Sequence, residues 1–143
     1  MVKGFLKGQS LIRKQPGRLE TYEQQEFVKY ARMIMKDEYR NLLFSIPNEA
    51  KRSMSTASRM KAEGMVAGVP DLFLAISSGE YHGLFIEMKR INRAVVSDSQ
   101  KIMIELLKDQ GFKVVICEGS VSAMDEFRAY LKGKNTLKGQ LKT

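Results

Sequence analysis

Two short apolar runs, residues 70–76 and 83–89, constrain the fold more than any other feature of the sequence. The segment between them begins Ser-Ser-Gly-Glu, a composition typical of a turn. Both runs have the length of a strand rather than a helix, and the pattern therefore predicts two neighbouring strands joined as an antiparallel hairpin.

Three charged residues interrupt these apolar runs. Asp71 lies at the start of the first, and Glu87 and Lys89 lie near the end of the second. Because side chains alternate along a strand, Glu87 and Lys89 share one face while Ile86 and Met88 face the core. An ionised carboxylate inside such a strand is costly unless it is paired or binds a metal.

The simplest structural alternative is a loop-capping Asp71 and a salt bridge between Glu87 and Lys89. The three residues together favour a divalent-metal site instead, because two carboxylates supply the hard oxygen ligands that Mg²⁺ and Mn²⁺ prefer. A lysine beside such a site suits hydrolysis of a phosphodiester at a metal.

The rest of the chain alternates between helical and strand-like patterns. The predicted class is α/β, a single domain in which helices flank a mixed central sheet, in the order α-β-α-β-β-α-β-α. The strand at 112–117 is almost purely apolar, which predicts burial on both faces. Ser120 or Ser122 is expected to cap the last helix. The predicted elements are helices 19–39, 49–63, 98–110 and 121–131, and strands 42–46, 70–76, 83–89 and 112–117.

The net charge of +8 lies at the two ends of the chain. Residues 1–18 carry five basic side chains and residues 132–143 carry four, with no acid in either segment, whereas residues 19–130 carry 15 basic and 16 acidic side chains. This division predicts a domain at 19–131 between a basic N-terminal arm and a basic C-terminal tail. Such arms commonly contact nucleic acid phosphates, and the alternative is a pair of solvated tails.

Composition excludes several other classes. No apolar run approaches the roughly 18 residues of a membrane span, and residues 1–18 lack the pattern of a signal peptide. A single cysteine, Cys117, cannot form an internal disulfide and has no evident histidine partner as a nucleophile. The one histidine, His82, cannot build a histidine-based metal site or a pair of acid and base histidines. These features predict a cytoplasmic protein without a membrane partner.

The charged residues lie within motifs that resemble a known family. Gly68-Val69-Pro70-Asp71-Leu72 followed by Phe85-Ile86-Glu87-Met88-Lys89 is similar to the PD-(D/E)XK nuclease signature, and more narrowly to the VRR-NUC domain, especially the stand-alone kind encoded by phages. Ser97 and Gln100 fit the family's serine-to-glutamine motif. The resemblance extends over about residues 20–131, and it implies a restriction-endonuclease-like fold.

The resemblance implies a role for each matching residue. Asp71 and Glu87 would bind Mg²⁺ or Mn²⁺ with the backbone carbonyl of Met88, and Lys89 would orient the attacking water or stabilise charge on the transition state. Gln100 would contact Lys89 or the substrate. Glu20, which shares a helix face with Gln24, is implied to be the first-helix acid, acting on the metal through water. Glu23 and Glu26 are the alternatives for that acid.

The function implied is metal-dependent hydrolysis of DNA. Stand-alone relatives resemble Holliday-junction-resolving enzymes, which implies branched DNA as the substrate and a homodimer as the active form. Two alternatives stay open: a nuclease acting on flap or simple duplex DNA, and a nucleic-acid-binding protein that does not cleave.

Overall fold

The computed structural model of the chain describes residues 16–47, 53–133 and 141–142, with side chains from residue 20 onward. The predicted arm at 1–18 and tail at 132–143 therefore lie largely outside the described residues. In chain order the elements are α1 (Pro16–Ile34), a 3-10 helix (Asp37–Leu42), β1 (Leu43–Ser45), α2 (Met54–Ala62), β2 (Leu72–Leu74), β3 (Leu84–Lys89), α3 (Asp98–Asp109), β4 (Lys113–Glu118) and α4 (Gly119–Leu131).

The four strands form one mixed sheet in the order β1-β2-β3-β4. β1 and β2 are antiparallel, β2 and β3 form the predicted antiparallel hairpin, and β3 and β4 are parallel. α3 makes the crossover between the two parallel strands. The predicted α/β class and element order are confirmed, with the 3-10 helix as an addition.

One face of the sheet packs on α1 and α4 and forms the core. Phe27 and Ala31 lie on one stripe of α1 and are fully buried. Phe27 meets Phe127 of α4 edge-to-face, with ring centroids 5.7 Å apart. Ile86 and Met88 of β3 are also fully buried, on the core face that strand alternation predicts.

The opposite face of the sheet carries an aromatic row and the charged residues of β3. Phe44, Phe73 and Phe85 occupy matched positions on three adjacent strands. The rings of Phe73 and Phe85 are stacked with centroids 4.3 Å apart, and Phe44 meets Phe73 edge-to-face. Glu87 lies two residues beyond Phe85, so it belongs to this second face.

The elements differ from their predicted limits where tertiary contacts intervene. α1 ends at Ile34 rather than at residue 39, since Met35 forms an antiparallel bridge with Leu141 and the Ile34 carbonyl accepts a hydrogen bond from the Lys142 amide. α2 begins after Ser53, whose hydroxyl accepts from the Thr56 amide. The predicted start of that helix at residue 49 lies outside the described residues.

Two predictions about the C-terminal half are wrong. β4 is an edge strand in the described sheet, and Ile116 is 42% exposed, so β4 is not buried on both faces. Neither serine caps α4, which begins at Gly119. Instead, the Glu23 carboxylate of α1 accepts a hydrogen bond from the Ser120 amide at 2.7 Å. A local sequence pattern cannot reveal a cap supplied by another helix.

No helix in the described part of the chain is long and apolar enough to cross a membrane.

Candidate active site

The hairpin register brings the two predicted carboxylates together. Leu72 pairs with Ile86, and continuing the antiparallel register by one residue sets Asp71 opposite Glu87. The Asp71 carboxylate accepts a hydrogen bond from the Met88 amide at 2.8 Å, which holds it against β3. Both acids are buried, with Glu87 only 2% exposed. Two carboxylates are thus held side by side on rigid strands.

Lys89 and Gln100 complete this cluster around Glu87. The Lys89 ammonium lies 2.8 Å from the Glu87 carboxylate and 3.1 Å from the side-chain oxygen of Gln100. The side-chain nitrogen of Gln100 in turn donates to the Glu87 oxygen that Lys89 contacts. The structure therefore places Gln100 against both β3 residues, which includes the contact with Lys89 that the sequence predicts.

The start of α3 positions Gln100 for these contacts. Ser97 and Gln100 form a capping box. The backbone amide of Gln100 donates to the Ser97 hydroxyl at 3.3 Å, and the backbone amide of Ser97 donates to the Gln100 side-chain oxygen at 3.0 Å. Such a box satisfies two backbone donors at a helix N-terminus. The Gln100 side chain therefore joins the helix cap to the charged cluster.

The cluster opens into a cleft of about 440 Å³ whose lining includes Glu20, Gly68, Asp71, Glu87, Lys89 and Gln100. Glu20 reaches it from α1. Partial burial raises the pKa of Glu20, the charge of Asp71 acts in the same direction, and the cations of Lys89 and Arg90 oppose the rise. The Glu20 side chain is thus close enough to Asp71 and Lys89 for their charges to act on it.

The three candidate acids of α1 occupy different surroundings. Glu23 is the cap of α4, and Glu20 lines the cleft. Glu26 lines neither the cleft nor the groove beside it. Gln24, predicted to approach the site with Glu20, lines the groove between α1 and β1 instead. The geometry thus favours Glu20 among the acids and separates Gln24 from the cleft.

Burial dominates the electrostatics of Glu87. It raises the pKa of the carboxyl to about 7; the charge of Asp71 adds to the rise, and the hydrogen bond and charge of Lys89 oppose it. A buried carboxyl beside a second carboxylate resists ionisation, because both burial and the like charge disfavour the anion. A cation bound between the two acids would remove that penalty.

The donor set fits a hard divalent cation. Carboxylate oxygens of Asp71 and Glu87 and the backbone carbonyl of Met88 are the ligand types that Mg²⁺ and Mn²⁺ prefer, with water completing the shell. Among the described residues, no three His, Cys, Asp or Glu side chains converge closely enough to hold one ion. Glu20 therefore lines the cleft without converging with Asp71 and Glu87 on one point.

Arg90 is a residue near Glu20 whose position the sequence does not indicate, because the pattern places it in a loop after the strand. Its Nε is buried and has no hydrogen-bond partner among the described residues. Its positive charge lowers the pKa of Glu20, so the guanidinium lies close enough to Glu20 for that charge to act. Arg90 is therefore a second cation, after Lys89, whose charge acts on Glu20.

Gly68 forms a wall of the cleft and allows α3 to approach. Its φ is +86°, and a Cβ at this position would lie 2.4 Å from the backbone oxygen of Ser99. Only glycine fits both the left-handed backbone and this contact. The residue explains how the loop before Asp71 packs directly on the start of α3.

The two residues that the sequence excludes from catalysis lie away from the cleft. Burial raises the pKa of the Cys117 thiol to about 11, and the residue faces the core. The His82 amide donates to the Gly111 carbonyl at 2.9 Å, and its ring lies near Phe112 at the opposite end of β3.

Comparison with known proteins agrees with this geometry. The model of the VRR-NUC domain matches residues 8–121 of the chain. The chain belongs to the VRR-NUC family. This is a nuclease family, so the match supports a nuclease. The resemblance seen in the sequence is confirmed.

A solved structure described as a VRR_NUC domain protein shares the fold of this VRR-NUC chain. The TM-score is 0.70 at 26% sequence identity, and the similarity covers 80% of this chain and 88% of the other. Comparison with functionally curated proteins gives no match.

Proposed function

We propose that this VRR-NUC protein is a divalent-metal-dependent endonuclease that hydrolyses phosphodiester bonds in DNA. The observation that carries the proposal is the buried pair of Asp71 and Glu87 with Lys89 hydrogen-bonded beside them at the cleft. Lys89 pairs with Glu87, and the Asp71 carboxylate lies opposite Glu87 on the neighbouring strand as a second acid. The second carboxylate is explained if a cation binds between them.

Asp71, Glu87 and the Met88 carbonyl would hold Mg²⁺ or Mn²⁺, with Glu20 contributing through water. A divalent ion at this position supplies Lewis-acid activation of the phosphate and a water of lowered pKa. The protein's own contribution is rigidity, because Asp71 is held by a backbone amide and Glu87 by two side chains. Binding of the cation would displace the proton that burial favours on Glu87.

Lys89 is the residue that would act on the substrate. Its side chain is 12% exposed, and its ammonium is directed at the Glu87 carboxylate and the Gln100 side-chain oxygen, which fix its position. From there it would orient the attacking water or stabilise the negative charge that develops on the phosphate. Gln100 is a positioning residue in this scheme, since it holds both Lys89 and Glu87.

The finer proposal is cleavage of branched DNA, such as a four-way junction, by a homodimer. The net charge of +8 supports binding to a polyanion. Two active sites in a dimer would cut opposing strands.

The deciding experiment is cleavage of labelled four-way junction, flap and linear duplex DNA in the presence of Mg²⁺, Mn²⁺ or chelator. We expect Asp71→Ala and Lys89→Ala each to lose at least about a hundredfold in rate while still binding DNA. Asp109→Ala and Lys108→Ala, at exposed positions of α3, are the matched controls.

Retained cutting by Asp71→Ala, or cutting by the wild type in chelator, would overturn the metal-site proposal. Binding of DNA without cutting by the wild type under any metal condition would instead support the non-cleaving alternative. Sedimentation at micromolar concentration, with and without junction DNA, tests the homodimer; a monomer under both conditions would exclude it.

A further inference from the structure

A second cavity adjoins the cleft. This α1–β1 groove, of about 500 Å³, lies between the first helix and the outer edge of β1. Its lining includes Thr21, Gln24, Lys29, Arg32, Phe44 and Ser45.

The groove and the cleft meet at Asp71. Leu72, which follows this catalytic candidate in the chain, lines the groove and pairs with Ser45 of β1. The Ile46 amide donates to the backbone carbonyl of Asp71 at 2.8 Å, so the end of β1 is tied to the start of β2. On α1, Glu20 lines the cleft and Thr21 lines the groove. The cleft and the groove are therefore lined by neighbouring residues at two places, on α1 and at the start of β2.

The charge of the groove is positive. Lys29 and Arg32 contribute its cations, and no carboxylate lines it within the described part of the chain. Neither cation forms a salt bridge with another described residue. Side-chain amides and hydroxyls supply further hydrogen-bond donors beside them. Unpaired cations with neutral donors match a phosphate backbone rather than an acidic or apolar protein segment.

We propose that the α1–β1 groove binds the DNA strand that continues from the cleft, with Lys29 and Arg32 on its phosphates. This proposal rests on the proposed function, because it extends the path of the cleaved strand. At about 1.5 Å per helical residue, Lys29 lies roughly 14 Å and Arg32 roughly 18 Å along α1 from Glu20. At about 3.4 Å per nucleotide, these cations meet phosphates about four to five nucleotides from the scissile one.

The test compares wild type with Lys29→Gln/Arg32→Gln, in chelator, by measuring DNA affinity over a range of salt concentrations. The expected result is a slope of log affinity against log salt that is shallower by about 2, because each lost phosphate contact removes roughly 0.9. The matched control is Lys108→Gln/Arg128→Gln, which removes the same charge from exposed helix positions outside the groove and cleft. Its slope should equal that of the wild type.

Strand length provides the second readout. Extending the substrate on one side of the cleavage position, up to about five nucleotides, should raise wild-type affinity and leave the affinity of Lys29→Gln/Arg32→Gln unchanged.

The outcomes separate this proposal from the function it extends. If the wild type does not cut with metal, the proposed function fails. If the wild type cuts but the groove variant keeps the wild-type salt slope and length dependence, the groove proposal fails alone. If deleting residues 1–15 raises wild-type affinity while the groove variant behaves as wild type, the groove holds the chain's own segment and the proposal is overturned.

Discussion

Replacing Glu87 with glutamine should stabilise the metal-free protein at alkaline pH. The carboxyl is 2% exposed and lies beside Asp71, and its pKa is raised from an ordinary 4.5 to about 7. Between these two values the folded protein keeps a proton on Glu87 that the unfolded chain has released. The free energy of unfolding therefore falls as pH rises through this window.

The magnitude follows from the width of that window. At about 1.4 kcal/mol per pH unit, the ionisation of Glu87 costs the wild type roughly 3 kcal/mol once the pH is above 7. A glutamine cannot ionise and keeps an oxygen for Lys89. The advantage of Glu87→Gln over wild type should thus be larger at pH 8 than at pH 5 by roughly 2–3 kcal/mol.

Urea unfolding in chelator, at pH 5 and pH 8, measures this difference. Glu105→Gln is the matched control, because its carboxylate is exposed on α3 and faces only Lys108 at 3.3 Å. The control should show little difference between the two pH values. If the advantage of Glu87→Gln is the same at both pH values, burial does not govern this carboxyl and the reasoning is refuted.

Three further predictions concern stability and are measured by urea unfolding. Gly68→Ala should cost about 2 kcal/mol or more and lower cutting as well, because its Cβ would lie 2.4 Å from the Ser99 oxygen at a φ of +86°; wild-type stability would contradict the contact. Glu23→Ala should cost about 1 kcal/mol by removing the cap of α4, and glutamine should recover part of this loss. No recovery would mean that charge rather than hydrogen bonding acts there. Tyr130→Phe should cost about 1–2 kcal/mol, because the buried hydroxyl donates to the Ile76 carbonyl at 2.6 Å; an unchanged midpoint would show that the bond contributes nothing.

The hairpin was predictable because its signal is local. The hairpin follows from two apolar runs of strand length with a turn between them. Side chains alternate between the two faces of a strand, and Glu87 and Lys89 therefore share a face. The capping box at Ser97 and Gln100 is equally local, since its two residues are three apart on one helix end. Such features depend on neighbours in the chain.

Other features could not be predicted from the sequence because they depend on contacts between distant segments. The end of α1 is decided by Leu141, and the cap of α4 by Glu23, which lies 97 residues before the amide it accepts from. The exposure of Ile116 depends on β4 being an edge strand, which no apolar pattern distinguishes from a central strand. The same holds for Arg90, whose charge acts on Glu20 although the two residues are far apart in the chain.

The sequence by itself determined the class, the hairpin and the identity of the charged residues, because strand periodicity and residue chemistry are properties of short segments. Only the tertiary structure decided that Asp71 and Glu87 lie side by side in a cleft, that Glu20 rather than Glu23 borders it, and that a basic groove lies between α1 and β1. These depend on how α1 and α3 pack on the sheet, and that packing is set by contacts between residues far apart in the chain.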